Sequence, residues 1–169
     1  MALIPRLVVA SGNRGKLAEL ESLLTGLVDE VLPQSFYYVP EAEETGSTFV
    51  ENAIIKARNA AAHTGLPAIA DDSGLELPAL DGAPGVRSAR WAGEDADDAA
   101  NNARLRDELI DLGDADRAAA YRCVLVFMRH AGDPAPIIAE GVWHGHLVDE
   151  PAGDQGFGYD PHFFLPEAG

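Results

Sequence analysis

The sequence predicts an α/β fold with a mixed β-sheet, and two observations carry that prediction. Between residues 6 and 112, short apolar runs alternate with segments of helical apolar spacing, the pattern of strands linked through helices. After residue 117, two long strand-like runs follow each other with only a turn between them. The first run, residues 6–10 (RLVVA), stops at Ser11-Gly12-Asn13, and apolar spacing resumes at Leu17, Leu20, Leu23 and Leu24. This is a buried strand, a glycine-containing turn and an amphipathic helix starting near Arg14, with Asn13 as its N-cap. Residues 28–39 form a second strand region broken by Pro33, followed by an acidic loop at 40–46. Thr48 and Glu51 stand at capping-box spacing, which starts a helix that runs to about His63 and ends at Gly65-Leu66-Pro67. A short buried strand at 68–70 leads into Asp71-Asp72-Ser73-Gly74 and a further apolar stretch at 75–80. The Gly-, Pro- and Arg-rich segment 81–93 is a loop, 95–112 an alanine- and acid-rich helix, and 118–129 with 137–146 a hairpin about Gly132-Asp133-Pro134. Gly156-Phe157-Gly158-Tyr159-Asp160-Pro161 then precedes a short apolar strand ending at Leu165.

At 169 residues, with no repeat, low-complexity tract or Pro- or Ser-rich linker, the chain is expected to be one domain spanning 1–169. A hydrophobic fraction of 47% separates it from disordered compositions. The longest apolar runs fall far short of the roughly 20 residues of a membrane helix, and no basic, then apolar, leader opens the chain. No membrane partner and a cytoplasmic location are therefore expected. Cys123 is the one cysteine, which excludes an internal disulfide and reads as a small buried hydrophobe. Twelve Lys and Arg against 28 Asp and Glu give a net charge of −16, so binding of nucleic acid through a basic face is disfavoured. A small anion could bind only where cations are gathered locally or a divalent metal bridges it to carboxylates. Only two lysines are present, Lys16 and Lys56, and both lie in segments that look chemically organised.

Four segments have that character. Ser11-Gly12-Asn13-Arg14-Gly15-Lys16 places free backbone amides, the positive end of a helix dipole and a lysine together, a cradle for phosphate. It lacks the GxxxxGK[ST] spacing of a P-loop, and a glycine turn before a helix is also ordinary structure. Asp71 and Asp72, adjacent after a buried strand, point to different sides, so one can hold a hard cation while the other orients a neighbour; an Asx turn is the alternative. Glu41, Glu43 and Glu44 precede a helix containing Glu51, Asn52 and Lys56, so Glu44 could join Asp72 at a magnesium ion while Lys56 neutralises phosphate; a solvated acidic face is the alternative. In the Gly156 to Pro161 loop, two glycines flank an aromatic, so Phe157 or Tyr159 can stack on a base while Asp160 accepts hydrogen bonds from sugar or base. The five histidines lack metal-site spacing, and no GxSxG elbow supports acyl chemistry.

Together these segments, with Glu44-Thr45-Gly46-Ser47-Thr48-Phe49-Val50-Glu51-Asn52-Ala53 and Gly82-Ala83-Pro84-Gly85-Val86-Arg87-Ser88-Ala89-Arg90, resemble the inosine triphosphate pyrophosphatase family, in family order across nearly the whole chain. The resemblance implies an elongated mixed sheet flanked by helices, two lobes with a cleft between them, and a homodimer. It implies magnesium-dependent hydrolysis of ITP, dITP, XTP and dXTP to the monophosphate and pyrophosphate. It assigns triphosphate binding to Ser11, Gly12, Asn13, Arg14, Gly15 and Lys16, with Lys16 also catalytic. Magnesium falls to Asp72 and Glu44, and the general base to Asp72. Phosphate contact falls to Lys56, a further substrate contact to Ser73, and the nucleoside to Phe157, Gly158, Tyr159 and Asp160. The family continues with a lysine and a Ser-His-Arg motif that contact the purine, so a chain ending at Gly169 is expected to lack that base-recognition segment. Two other readings compete. A Maf-type nucleotide pyrophosphatase would open with a Ser-x-Ser-Pro-Arg-Arg character where this chain has Ser-Gly-Asn-Arg-Gly-Lys. A nucleotide-binding regulator would keep the cradle without turnover.

Overall fold

The computed structural model describes residues 3–113, 116–153 and 156–166, with the side chain of Arg14 outside that set. The elements in order are β1 (Ile4–Val9), α1 (Arg14–Leu23), β2 (Val28–Pro33), α2 (Phe49–Thr64), β3 (Ala68–Glu76), α3 (Asp98–Leu112), β4 (Ala118–Met128), β5 (Ile137–Leu147) and β6 (Phe163–Phe164). They form a six-stranded sheet in the order β2-β1-β3-β4-β5-β6. It is mixed: β1 pairs parallel with β2 and β3, whereas β5 and β6 pair antiparallel.

The helices start and stop where local chemistry requires. Asn13 caps α1 by accepting from Gly15 N at 2.8 Å and Lys16 N at 3.2 Å. Thr48 and Glu51 make the full capping box of α2, and Gly65, at φ +68° in the left-handed region, closes it. Asp97 caps α3 through Ala100 N.

The strands depart from expectation twice. The second region ends as a strand at Pro33, and residues 34–37 turn into a 3-10 helix, because proline has no N–H with which to extend a ladder. The third does not stop at residue 70: β3 runs nine residues through Asp71, Asp72, Ser73 and Gly74, so the Asx-turn alternative is excluded. Carboxylates inside a buried strand are costly unless paired, and both are paired here.

By contacts the chain divides into two units, residues 1–72 with 124–140, and 73–123 with 141–169. The first has a core of Leu7, Val9, Leu20, Val28 and Ile69, which sets α1 against β1 and β2. The second centres on Leu75, Leu77, Trp91, Leu105, Leu109 and Tyr159. Leu105 and Leu109 are fully buried, and such burial contributes about 1.5–3 kcal/mol per side chain. No helix among the described residues is long and apolar enough to cross a membrane.

The turn between β4 and β5 is held by Asp133, whose carboxylate accepts from Arg129 N and Nε and from Ala135 N. The Arg129 guanidinium and these backbone amides hold its pKa well below 3.8. A depressed folded-state pKa gives stability that is present above the unfolded value and lost as pH falls through the folded one. Asp133→Asn is therefore expected to lower Tm at neutral pH, with the gap to the parent closing below about pH 3.8. Thermal melts across that range check it, and a gap that stayed constant would show that the turn is held by something other than charge.

Candidate active site

In the first unit β1 lies between β2 and β3, so the chain leaves β1 for one side and returns on the other. Beyond the carboxyl ends of strands at such a switch point, an open α/β sheet has room for a ligand. Two segments converge there. One is the turn after β1, Ser11 to Asn13, with the start of α1; the other is the acidic part of β3, since Ala10 N donates to Ile69 O two residues before Asp71.

The turn is built as a cradle. Ser11 Oγ accepts from Asn13 N at 3.1 Å, and Asn13 takes the amides of Gly15 and Lys16. A Cβ on Gly12 would meet Glu41 Oε1 at 3.0 Å, so the acidic loop lies against the turn. Lys16, in the first turn of α1, forms an ion pair with Asp71 Oδ2.

A second cluster stands beside it. Lys56 Nζ, on α2, donates to Glu44 Oε1 at 3.1 Å and to Asp72 Oδ1 at 3.2 Å. Asp71 and Asp72 are successive strand residues, so their side chains leave opposite faces, and each meets its own lysine. Burial pushes the Asp72 pKa up, Lys56 opposes this, and the nearby Glu44 charge adds to the rise; the net is above 3.8. Burial would draw Lys56 down, but Asp72, Glu44 and Asp71 outweigh it and hold the ammonium above 10.5.

The loop after β5 lies in the second unit and is braced from inside. Asp160 Oδ2 accepts from Phe157 N at 2.9 Å, and a Cβ on Gly156 would approach that oxygen to 2.2 Å, so only glycine fits there. Tyr159 is buried, its hydroxyl donating to Ser88 O at 2.7 Å and its ring edge-on to Trp91. Tyr159 is thus taken up by the core, and of the two aromatics proposed to stack on a base only Phe157, 42% exposed, presents its ring. Asp160 accepts from the Phe157 amide, and its carboxylate lies near the Tyr121 hydroxyl. Ser73 follows Asp72 on β3 and is half-buried. Arg14 opens α1, and its side chain lies outside the described residues.

The Ham1 family matches residues 7–169, nearly the whole length over which these features are spread. The chain belongs to the Ham1 family. It is 57% identical over 162 residues to a dITP/XTP pyrophosphatase of Thioalkalivibrio sulfidiphilus, covering 96% of this chain and 83% of that protein. It is 60% identical over 167 residues to a dITP/XTP pyrophosphatase of Ralstonia nicotianae, covering 97% and 82%. A solved HAM1 protein from Coxiella burnetii superposes with a TM-score of 0.90 at 51% identity, covering 98% of this chain and 84% of that one. The Ham1-family chain therefore spans about four fifths of the length of these relatives.

Around the cradle of this Ham1 chain stand Glu41, Glu44, Asp71 and Asp72 but, among the described side chains, only Lys16 and Lys56. Carboxylates so placed repel a triphosphate, and a divalent cation among them would offset that repulsion. Glu44 and Asp72, already turned to one point by Lys56, are hard oxygen donors, and magnesium usually takes one or two carboxylates with water and phosphate oxygens completing its shell. The donor set fits that ion. Among the described residues no cluster of three or more His, Cys, Asp or Glu forms an all-protein cage.

Asn52 completes this Ham1 site and is the residue that sequence reasoning mentioned but did not assign. Fully buried on α2, it donates from Nδ2 to Asp72 Oδ2 at 3.2 Å, and its Oδ1 accepts from Gly46 N at 2.8 Å. It thereby ties the Glu44 loop to Asp72. Gly46 follows from the same packing, because a Cβ there would meet Asn52 Oδ1 at 2.6 Å. The signal was present in the spacing of Asn52 and Lys56, one helical turn apart and so on one face.

Proposed function

We infer that this chain hydrolyses the non-standard purine nucleoside triphosphates ITP, dITP, XTP and dXTP to the nucleoside monophosphate and pyrophosphate, removing them from the nucleotide pool. One observation carries the reading: in a chain 57% and 60% identical to enzymes of that name, Asp71 and Asp72 each hold one of the two lysines beside a capped helix start.

In the reaction, Ser11, Gly12, Asn13, Arg14, Gly15 and Lys16 bind the triphosphate, the α1 amides and the Lys16 ammonium facing its negative oxygens. Water adds to the α-phosphorus, its proton passing to the Asp72 carboxylate, whose oxygens each keep a second lone pair beyond the bonds from Lys56 and Asn52. The bond from the α-phosphorus to the bridging oxygen breaks, and pyrophosphate leaves with its electron pair. Lys16 and Lys56 offset the charge that grows on it. Magnesium, held by Glu44 and Asp72, supplies Lewis-acid stabilisation of the phosphoryl oxygens when bound. Ser73 is a further substrate contact, and Phe157, Gly158, Tyr159 and Asp160 form the nucleoside loop, with Phe157 the stacking face and Tyr159 and Asp160 its supports.

A site that donates to a 6-oxo group meets the amino group of adenine donor to donor, a mismatch costing about 1–3 kcal/mol when buried. Pyrophosphate released from dITP with magnesium, beside dATP, dGTP and dTTP, tests the assignment, and a clear preference for dITP is expected. Preference for a pyrimidine would make the chain Maf-like, and tight binding without release would make it a regulator. We further propose that residues 1–169 form one catalytic domain acting in the cytoplasm, and that it has no nucleic-acid partner, the last supported by the charge of −16. A homodimer is part of the same reading, and the large apolar side chain of Ile137, left exposed on β5, supports it. Sedimentation equilibrium at twice the monomer mass is the expected result.

A further inference from the structure

We propose that Asp98 and Asn102, on α3, are positioning residues that clamp Gly158 and so fix the loop that presents Phe157. The proposal rests on the reading above that this loop binds the nucleoside.

Asp98 and Asn102 stand four residues apart and share one face of α3. Asp98 Oδ2 accepts from Gly158 N at 2.8 Å, and Asn102 Nδ2 donates to Gly158 O at 2.8 Å. One helix face therefore holds both backbone polar groups of a single loop residue. That residue sits at φ +60°, in the left-handed region where glycine goes without strain. Its neighbours are fixed too: Asp160 holds the Phe157 amide, and Tyr159 is anchored on Ser88 O. Phe157 is what the braced loop leaves presented, 42% exposed.

The clamp leaves an atom unsatisfied. Asn102 Nδ2 serves two carbonyls, those of Asp98 at 2.8 Å and Gly158, while Oδ1 is buried with no hydrogen-bond partner among the described residues. Turning the amide over would set its oxygen against both carbonyls, so the orphan cannot be relieved without releasing Gly158. A buried acceptor without a partner lowers stability, and such a group is expected where function has overridden packing. The alternative, an asparagine that simply stabilises a loop, predicts a net loss of stability on its removal.

Steady-state kinetics with dITP and magnesium on the parent, Asp98→Ala, Asn102→Ala and Asp98→Asn test this, with tripolyphosphate as an inhibitor that probes the phosphate cradle alone. Each alanine variant is expected to raise KM about 3- to 10-fold, the worth of one net hydrogen bond, with kcat within about twofold of the parent. Tripolyphosphate inhibition is expected to stay unchanged. Asp98→Asn, which keeps an acceptor oxygen, is expected to recover most of the lost affinity, and Asn102→Ala to melt no more than about 2 °C below the parent. Unchanged KM in both alanine variants would overturn the clamp, as would a parallel fall of kcat, tripolyphosphate inhibition and Tm, which marks a merely structural role. A parent that released no pyrophosphate from any purine triphosphate would instead bring down the enzymatic reading itself, and the clamp with it.

Discussion

Asp72→Asn is expected to lower kcat for dITP at least about 100-fold, the low end of what general base catalysis contributes. The substitution is nearly isosteric, so the loss comes from charge and hydrogen-bond polarity. The new amide nitrogen would face either the Lys56 ammonium or the Asn52 amide, donor against donor, since each now donates to one carboxylate oxygen. Stability is expected to fall by no more than about 1–3 kcal/mol, the cost of that buried mismatch. Burial and Glu44 already disfavour the charged form of Asp72, and a neutral side chain removes that penalty while Lys56 keeps Glu44. Initial rates of pyrophosphate release at saturating magnesium, with a thermal melt beside them, check both halves. A variant within about tenfold of the parent would take Asp72 out of the chemistry.

Lys56→Met is expected to be the most destabilising single change in the site. Lys56 is the shared cation of Glu44 and Asp72, and its side chain is 18% exposed against 9% for Asp72. Removing one partner of a buried ion pair typically costs 3–5 kcal/mol, because the other charge stays buried. Glu44 is more exposed, so the low end applies, about 3 kcal/mol, which in a chain of this size lowers Tm by about 6–12 °C. The pH dependence follows from the shifts. The Lys56 pKa is raised above 10.5 in the folded state, so its contribution is fully present below that value and lost as pH rises through the folded one. In acid, Asp72, itself raised above 3.8, takes up a proton early and relieves the variant. The gap in Tm is therefore expected to be widest near neutrality and to close at both ends. A gap independent of pH would assign the loss to packing of the lysine stem instead.

Much of the site was legible because its signals are local. Asn13 and Thr48 were readable as caps, since a cap depends on residues one to three positions away. Lys16 and Lys56 stood out as the only lysines of a strongly acidic chain, and both meet carboxylates in the cradle region. Tyr159 and Asp160 were harder to place. Gly-Phe-Gly-Tyr-Asp does not say which aromatic is buried, and the answer depends on Ser88 and Trp91, about 70 residues earlier. Asn52 went unassigned for the same reason, since its two bonds reach Gly46 and Asp72 on separate segments.

By itself the sequence determined the order of strands and helices, the helix boundaries within a few residues, and the acidic composition that makes a triphosphate unwelcome without added positive charge. These follow from periodicity, caps and charge, which act over one or two turns of chain. Only the tertiary structure decided that Asp71 and Asp72 belong to a continuous strand with a lysine on each side, that Asn52 joins the Glu44 loop to it, and that α3 grips Gly158. Each of those depends on a partner distant in sequence, and a buried polar group is tolerated or not according to a partner that only the fold brings near.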